Sequence, residues 1–246
     1  MVLAGCLGLA PFAFGADLPS LVHDAAAAEA RQDSRAALEL LLVADRLQPH
    51  NAVILQKIAR QYSDLVVDQP DVAAKKSYVL TALDYSEKAV ALNPKDPVSV
   101  LSLAVCHGKL AIYSETADKV RYSRLVKEEA EQALVLDPNY SWAHHVLGRW
   151  HYEVATLGGT SKFFVKLFYG GLPPASFDEG IRHLSRAVEL EPAELDHVLE
   201  LGFAYAATGQ SAKAREAWTR GLAMPSRGNH DEPAKERARQ ALARLE

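Results

Sequence analysis

Residues 193–225 read AELDHVLELGFAYAATGQSAKAREAWTRGLAMP. Two helical runs meet at Gly209, and the unit is framed by Pro192 and Pro225, 33 residues apart. Proline cannot continue a helix and turns its predecessor away from the helical region, so each frame is a helix stop. Gly202 stands where a larger side chain would wedge two helix axes apart. The stretch therefore reads as one antiparallel helix pair.

Working outward, the same stop recurs three times upstream. Leu47-Gln48-Pro49, Leu92-Asn93-Pro94 and Leu136-Asp137-Pro138 match Leu190-Glu191-Pro192. Five residues before each proline stands an alanine (Ala44, Ala89, Ala133, Ala187), and ten residues after it a small residue (Ala59, Ala104, Gly148, Gly202). Gly202, Tyr205, Gly209, Ala214 and Trp218 fall at the spacing of a tetratricopeptide repeat, and the unit resembles that family, whose nominal period is ~34 residues. The other intervals are 45, 44 and 54 residues. Units two and three thus carry longer helices, and the long fourth interval holds an insertion at 157–176. The expected fold is all-α: a tetratricopeptide-like α-solenoid of about five helix pairs over 17–246, with a short amphipathic helix inserted in one pair. A C-terminal capping helix follows from Asp231, as N-cap, to about Arg244.

Composition sets outer bounds. With 49% hydrophobic and 24% charged residues the chain can bury a sizeable core, and disorder is disfavoured. A net charge of −4 gives no global basic field for a nucleic-acid backbone, so nucleic acid is not an expected partner. Residues 1–16, MVLAGCLGLAPFAFGA, are uncharged and read as an export signal-like segment that directs the domain out of the cytoplasm, periplasmic or secreted. Three forms are open: a cleaved signal, a lipid anchor through Cys6 in the lipobox-like Leu3-Ala4-Gly5-Cys6, or an uncleaved N-terminus that keeps the protein at the membrane. Without Cys6 only Cys106 remains, and no intramolecular disulfide can form.

In tetratricopeptide arrays the first helix of each pair lines the concave face. That resemblance implies inward positions four, seven, eleven and fourteen residues after each proline, one stripe of a helix. They give Arg60 in unit two, Val98, Leu101 and Val105 in unit three, Trp142, His145, Arg149 and Tyr152 in unit four, and Leu199 and Phe203 in unit five. Two readings stand. The stripe is ordinary inter-helix core, or it is a groove that binds a protein or peptide partner, alternatively a lipid-like ligand whose anionic head meets Arg149. The four asparagines, Asn51, Asn93, Asn139 and Asn229, all fall in expected turns, so an asparagine-rich clamp for peptide C-termini is absent.

Within the insertion Phe163, Phe164, Leu167 and Phe168 share one helical face, and Lys162 and Lys166 lie four apart on the other. Glycine pairs and Pro173-Pro174 bound this basic amphipathic helix. It serves as a lid or plug for the array, or as a contact for a membrane surface or partner. HHVLGRWHYEVATLGG (144–159) and KLFYGGLPPASFDEGIRHLSRAVELEP (166–192) resemble the regulator of microtubule dynamics family. The resemblance implies an all-helical domain, association with membranes or microtubules, and a link to lipid handling. An exported protein would not meet microtubules, so the sequence alone favours an exported, non-catalytic binding or scaffold protein, alternatively a lipid carrier.

Catalytic and metal patterns are incomplete. His144 and His151 share a helix face with Glu153 nearby, but no histidine completes an H-E-x-x-H spacing, and no metal is expected. Cys106 and His107 are adjacent, which on a helix points them apart. No nucleophile elbow, phosphate loop or cofactor motif occurs, so neither an enzyme nor a cofactor is expected.

Overall fold

The computed structural model describes residues 17–245. Twelve α-helices and no strand occur among them. They pair in sequence order: α1 (Leu18–Ala30) with α2 (Ser34–Leu47), α3 (Ala52–Asp64) with α4 (Val72–Leu92), and α5 (Pro97–Ile112) with α6 (Thr116–Leu136). Then α7 (Ser141–Thr156) pairs with α9 (Phe177–Leu190) around the inserted α8 (Gly159–Tyr169), and α10 (Leu195–Ala207) with α11 (Ser211–Ala223). The α12 helix (Asp231–Ala243) closes the array, which is the expected solenoid of five pairs with a cap.

The repeated alanines explain the period. Ala44, Ala89, Ala133 and Ala187 are fully buried, and the carbonyl of each accepts the N–H of the residue just ahead of the proline. The small residues do the work the sequence assigns them. A Cβ at Gly148 would stand 2.9 Å from the Gly180 carbonyl oxygen of α9, and one at Gly202 would stand 2.4 Å from Trp218 Nε1 of α11. Both pairs cross too closely for any side chain there. The extra residues of units two and three lengthen α4 and α6 to 21 residues each, with a 3₁₀ turn at Leu65–Asp68.

Side-chain caps start many of the helices: Asp33 accepts the Ala36 N–H at 3.0 Å, Asp71 that of Ala74 at 2.8 Å, and Ser176 that of Glu179 at 3.1 Å. The expected cap at Asp231 is displaced by one residue. His230 occupies the N-cap, while the Asp231 carboxylate turns back to accept the N–H groups of Arg227 (2.6 Å) and Gly228 (2.9 Å). Closing that loop matters for the whole array. Asn229 donates to Ser34 Oγ at 2.8 Å and His230 Nε2 meets Asp64 Oδ1 at 3.2 Å, so the lead-in to α12 bridges the last pair to the first two.

Candidate functional site

The first helices α3, α5, α7 and α10 lie side by side as the inner layer, with α12 added against α10. Along this layer the stripe named above divides. Leu101 packs in a core cluster with Ala130, Ala133 and Leu147, and Leu199 packs under Trp218. Val105 is half-buried, whereas Arg60 and Val98 are exposed, and Val53 on α3 is 63% exposed.

The C-terminal part of the stripe is a polar centre built on the buried Glu200 of α10, which is 3% exposed. Tyr152 donates its hydroxyl to the Glu200 carboxylate, and Arg237 of α12 donates to its other oxygen. Arg149 Nε lies 2.7 Å from Glu153 Oε1 and 3.9 Å from Glu200 Oε1. Burial pushes the Glu200 carboxyl up, but the guanidinium groups of Arg149 and Arg237 outweigh it and hold the carboxyl below its ordinary value. The same carboxylates hold Arg149 firmly protonated against its own burial. Arg237 also lies over the Phe203 ring, 4.2 Å from its centroid. Two guanidinium groups thus meet two carboxylates, and Arg149 is no free anion receptor. Glu200, Arg237 and Glu153 were missed by the stripe. Glu153 was legible as the i+4 partner of Arg149, whereas nothing in sequence links Arg237 to Glu200.

Consecutive residues of α7 face different neighbours, and His144 and His145 use this to build two histidine pairs. His145 Nδ1 lies 3.1 Å from His197 Nδ1 of α10, with Trp142 edge-on to His197 at 4.7 Å. Burial, and for His197 also its neighbour His145, pushes the two imidazoles down to about 4 and about 3. On the other side His144 Nδ1 lies 2.8 Å from His183 Nδ1 of α9. His144 Nε2 donates to the Pro138 carbonyl at 3.1 Å, so its Nδ1 accepts; His183 Nδ1 therefore donates, and its Nε2 accepts from Arg182 at 2.8 Å. Burial and the Arg182 charge push His183 down to about 4, in keeping with this neutral chain.

His151, Glu179 and His183 bring three potential metal ligands within 4.8 Å of one another. Arg182 already sits among them, hydrogen-bonded to Glu179 and His183, and supplies the positive charge a metal would bring. Cys106 and His107 do not meet: burial pushes the thiol up to about 11 beside Ser86, while His107 pairs with Glu129 of α6 at 2.8 Å.

The insertion divides in two. Leu172 and Ala175 pack against Val126, Trp150 and Val154, filling space between α6 and α7. The α8 helix instead stands against α6, held by Arg124, whose guanidinium donates to the carbonyls of Tyr169 and Gly171. Gly170 and Gly171 take φ of 75° and 84°, a left-handed stop that favours glycine. Phe163, Phe164, Leu167 and Phe168 are 52–65% exposed.

The family of regulator of microtubule dynamics proteins 1–3 matches residues 21–246. The chain belongs to this family. Regulator of microtubule dynamics protein 3 of Xenopus laevis is 27% identical over 65% of the chain and 35% of its own length. Protein 3 of Mus musculus is 26% identical over 82% of the chain and 43% of its own, and protein 1 of Mus musculus 23% over 78% and 64%. The chain thus spans less than half of the protein 3 relatives it matches. Among solved structures, TTC0263, a thermophilic tetratricopeptide protein of Thermus thermophilus, aligns with a TM-score of 0.67 at 18% identity, covering 92% of this chain and all of that one. A component of the Cut9–Hcn1 hetero-tetramer of the anaphase-promoting complex aligns at 0.61 and 15% identity, over 90% of this chain and 36% of that one. These show the fold.

Family membership corrects one expectation. The exported, periplasmic or secreted location read from residues 1–16 is overturned, because the relatives are animal regulators of microtubule dynamics and microtubules lie inside cells. Residues 1–16, including Cys6, lie outside the described residues. With export withdrawn, the objection to a microtubule-related role falls with it.

Proposed function

We propose that the chain is a non-catalytic adaptor that binds a protein partner on the N-terminal half of its inner layer, in the service of microtubule regulation. The observation that carries this reading is the exposure of Val53 and Val98 at the fourth position after the proline and of Arg60 at the eleventh, where Trp142, Asp196 and Phe203 of α7 and α10 are half-buried and Arg149 is charge-paired. An extended segment of a partner would lay apolar side chains on Val53 and Val98 and present a carboxylate to Arg60. Among the described residues Arg60 is held only by Asp64 at 3.8 Å, a carboxylate it shares with His230, so its guanidinium can turn to a better acceptor.

The names of the relatives make polymerised tubulin the first partner to try. The full chain should co-sediment with microtubules, and an Arg60→Glu, Val98→Asp double variant should weaken this by about tenfold or more, while Arg149→Ala leaves it nearly unchanged. Equal pelleting of the parent and the double variant would remove the open half of the stripe from the site.

The second reading, a carrier of lipid or another apolar ligand with the 157–176 insertion as lid, draws support from the exposed phenylalanines of α8 alone. It needs α8 to swing from α6 to the inner layer, and a head-group anchor other than the paired Arg149. Organic extraction of the purified protein that yields no lipid would end it.

A further inference from the structure

We propose that α8 is a docking element that lies in the interface of an anionic phospholipid bilayer. Of the chain's seven phenylalanines, three sit on this one helix with Leu167 beside them. Phe163 and Phe164 meet edge to face at 6.0 Å, and Phe164 stacks on Phe168 at 6.1 Å, so the rings form one continuous exposed face rather than scattered side chains. No side chain of α8 is buried, and the helix leans on the body through the Arg124 bonds to its C-terminal carbonyls and the Lys162 bond to the Ala155 carbonyl at 3.0 Å. An apolar face of this kind carries a hydration penalty that only a covering phase removes.

Charge identifies the phase. Residues 159–169 contain Lys162 and Lys166, both exposed, and no carboxylate. Arg124 at the base spends its donors on carbonyl oxygens, so a third positive charge stands beside them. A protein pocket fits less well than a bilayer because the face is convex, on an arm bounded by Gly158-Gly159 and Gly170-Gly171. A soft interface accepts a convex aromatic wedge, while the exposed lysine stems of the other face, Lys162 on giving up its bond to the Ala155 carbonyl, can snorkel toward phosphates. Eleven residues are far too few to span a bilayer, and among the described residues no helix is long and apolar enough to cross one. The helix lies on the membrane rather than across it.

The test compares full-length variants on vesicles, so that every other segment contributes equally. Parent protein should partition onto vesicles of phosphatidylserine with phosphatidylcholine. Phe164→Glu with Phe168→Glu should lower that partition by about tenfold or more. Lys162→Glu with Lys166→Glu should remove most of the preference for these vesicles over pure phosphatidylcholine, again by about tenfold. Far-ultraviolet circular dichroism confirms that the variants keep their helices, as expected for residues already exposed. Equal partition of parent and phenylalanine variant would overturn the proposal, as would absence of parent binding. A dimeric parent that becomes monomeric on the Phe164→Glu, Phe168→Glu change would overturn it too, by showing that the face covers a second copy.

Discussion

The inner faces of α3 and α5 and those of α7 and α10 share one repeat register, yet they differ at two of its positions: Arg60 and Val98 are exposed where Arg149 is charge-paired and Trp142 half-buried. On α7 and α10 the polar groups are locked together: Glu200 with Tyr152, Arg149 and Arg237, and His145 with His197. On α3 and α5, Val53, Arg60 and Val98 face outward with little to hold them. The difference is α12, which adds Arg237 beside α10 and covers that end of the layer. A repeat position is therefore core or surface according to what the next element covers, not according to its place in the period.

The largest way to break this contrast is acid. His145, His183 and His197 are held neutral with values near 4, 4 and 3, whereas the unfolded chain takes up protons below about 6.5. As pH falls the unfolded state binds more protons than the folded one, so stability is lost from about pH 6.5 down toward the folded values. For His197, which has no exposed surface, the loss is on the order of 3 kcal/mol by pH 4, and the other two act in the same sense. Hydrogen exchange at pH 4.5 should show α7 to α11 losing protection before α1 to α4. Uniform loss across the array would mean that the two halves unfold as one.

Next in size is Glu200→Ala. Breaking a buried ion pair costs about 3–5 kcal/mol when the stranded charge stays buried. Arg149 and Arg237 side chains are both 43% exposed and recover water, which brings the expected cost to about 2–3 kcal/mol. In a chain of this size that is a fall of about 5–10 °C in Tm. Arg60→Ala, across the divide, should move Tm by no more than about 1 °C. A Glu200→Ala protein as stable as the parent would show that the network organises the layer without stabilising it.

The pairs, the insertion and the length of α4 and α6 were legible in the sequence because proline and alanine repeat at fixed positions, and each has one backbone consequence. The site was legible only in part. The stripe found Arg149 and Tyr152 but read Arg149 as a free cation, passing over Glu153 four residues on, while Glu200, 51 residues away, looks like any polar helical residue. Arg237 lies on a capping helix whose contact face no periodicity assigns. The amphipathic nature of α8 was plain from Phe163, Phe164, Leu167 and Phe168, but its direction was not. An apolar face reads the same whether it turns toward the body or away, and here the Arg124 contacts, 45 and 47 residues distant, turn it away.

The smallest test uses two glycines of the inner helices. At Gly202 of α10 an added Cβ falls 2.4 Å from Trp218 Nε1, and the indole cannot retreat, because it is buried and donates to the Leu199 carbonyl at 3.1 Å. Gly202→Ala should therefore cost about 1–3 kcal/mol, with the repulsion outweighing any gain in helix propensity. At Gly108 of α5 the nearest atom to an added Cβ is Val126 Cγ2 at 3.8 Å, an ordinary contact. There the backbone entropy that glycine loses on folding is the larger quantity, and Gly108→Ala should stabilise by about 0.5–1 kcal/mol, raising Tm by about 1–4 °C. The same substitution thus changes sign between two helices of one layer, α5 and α10. A lower Tm for Gly108→Ala would show that α5 is packed as tightly as α10, and the division between the two halves would then rest on charge alone.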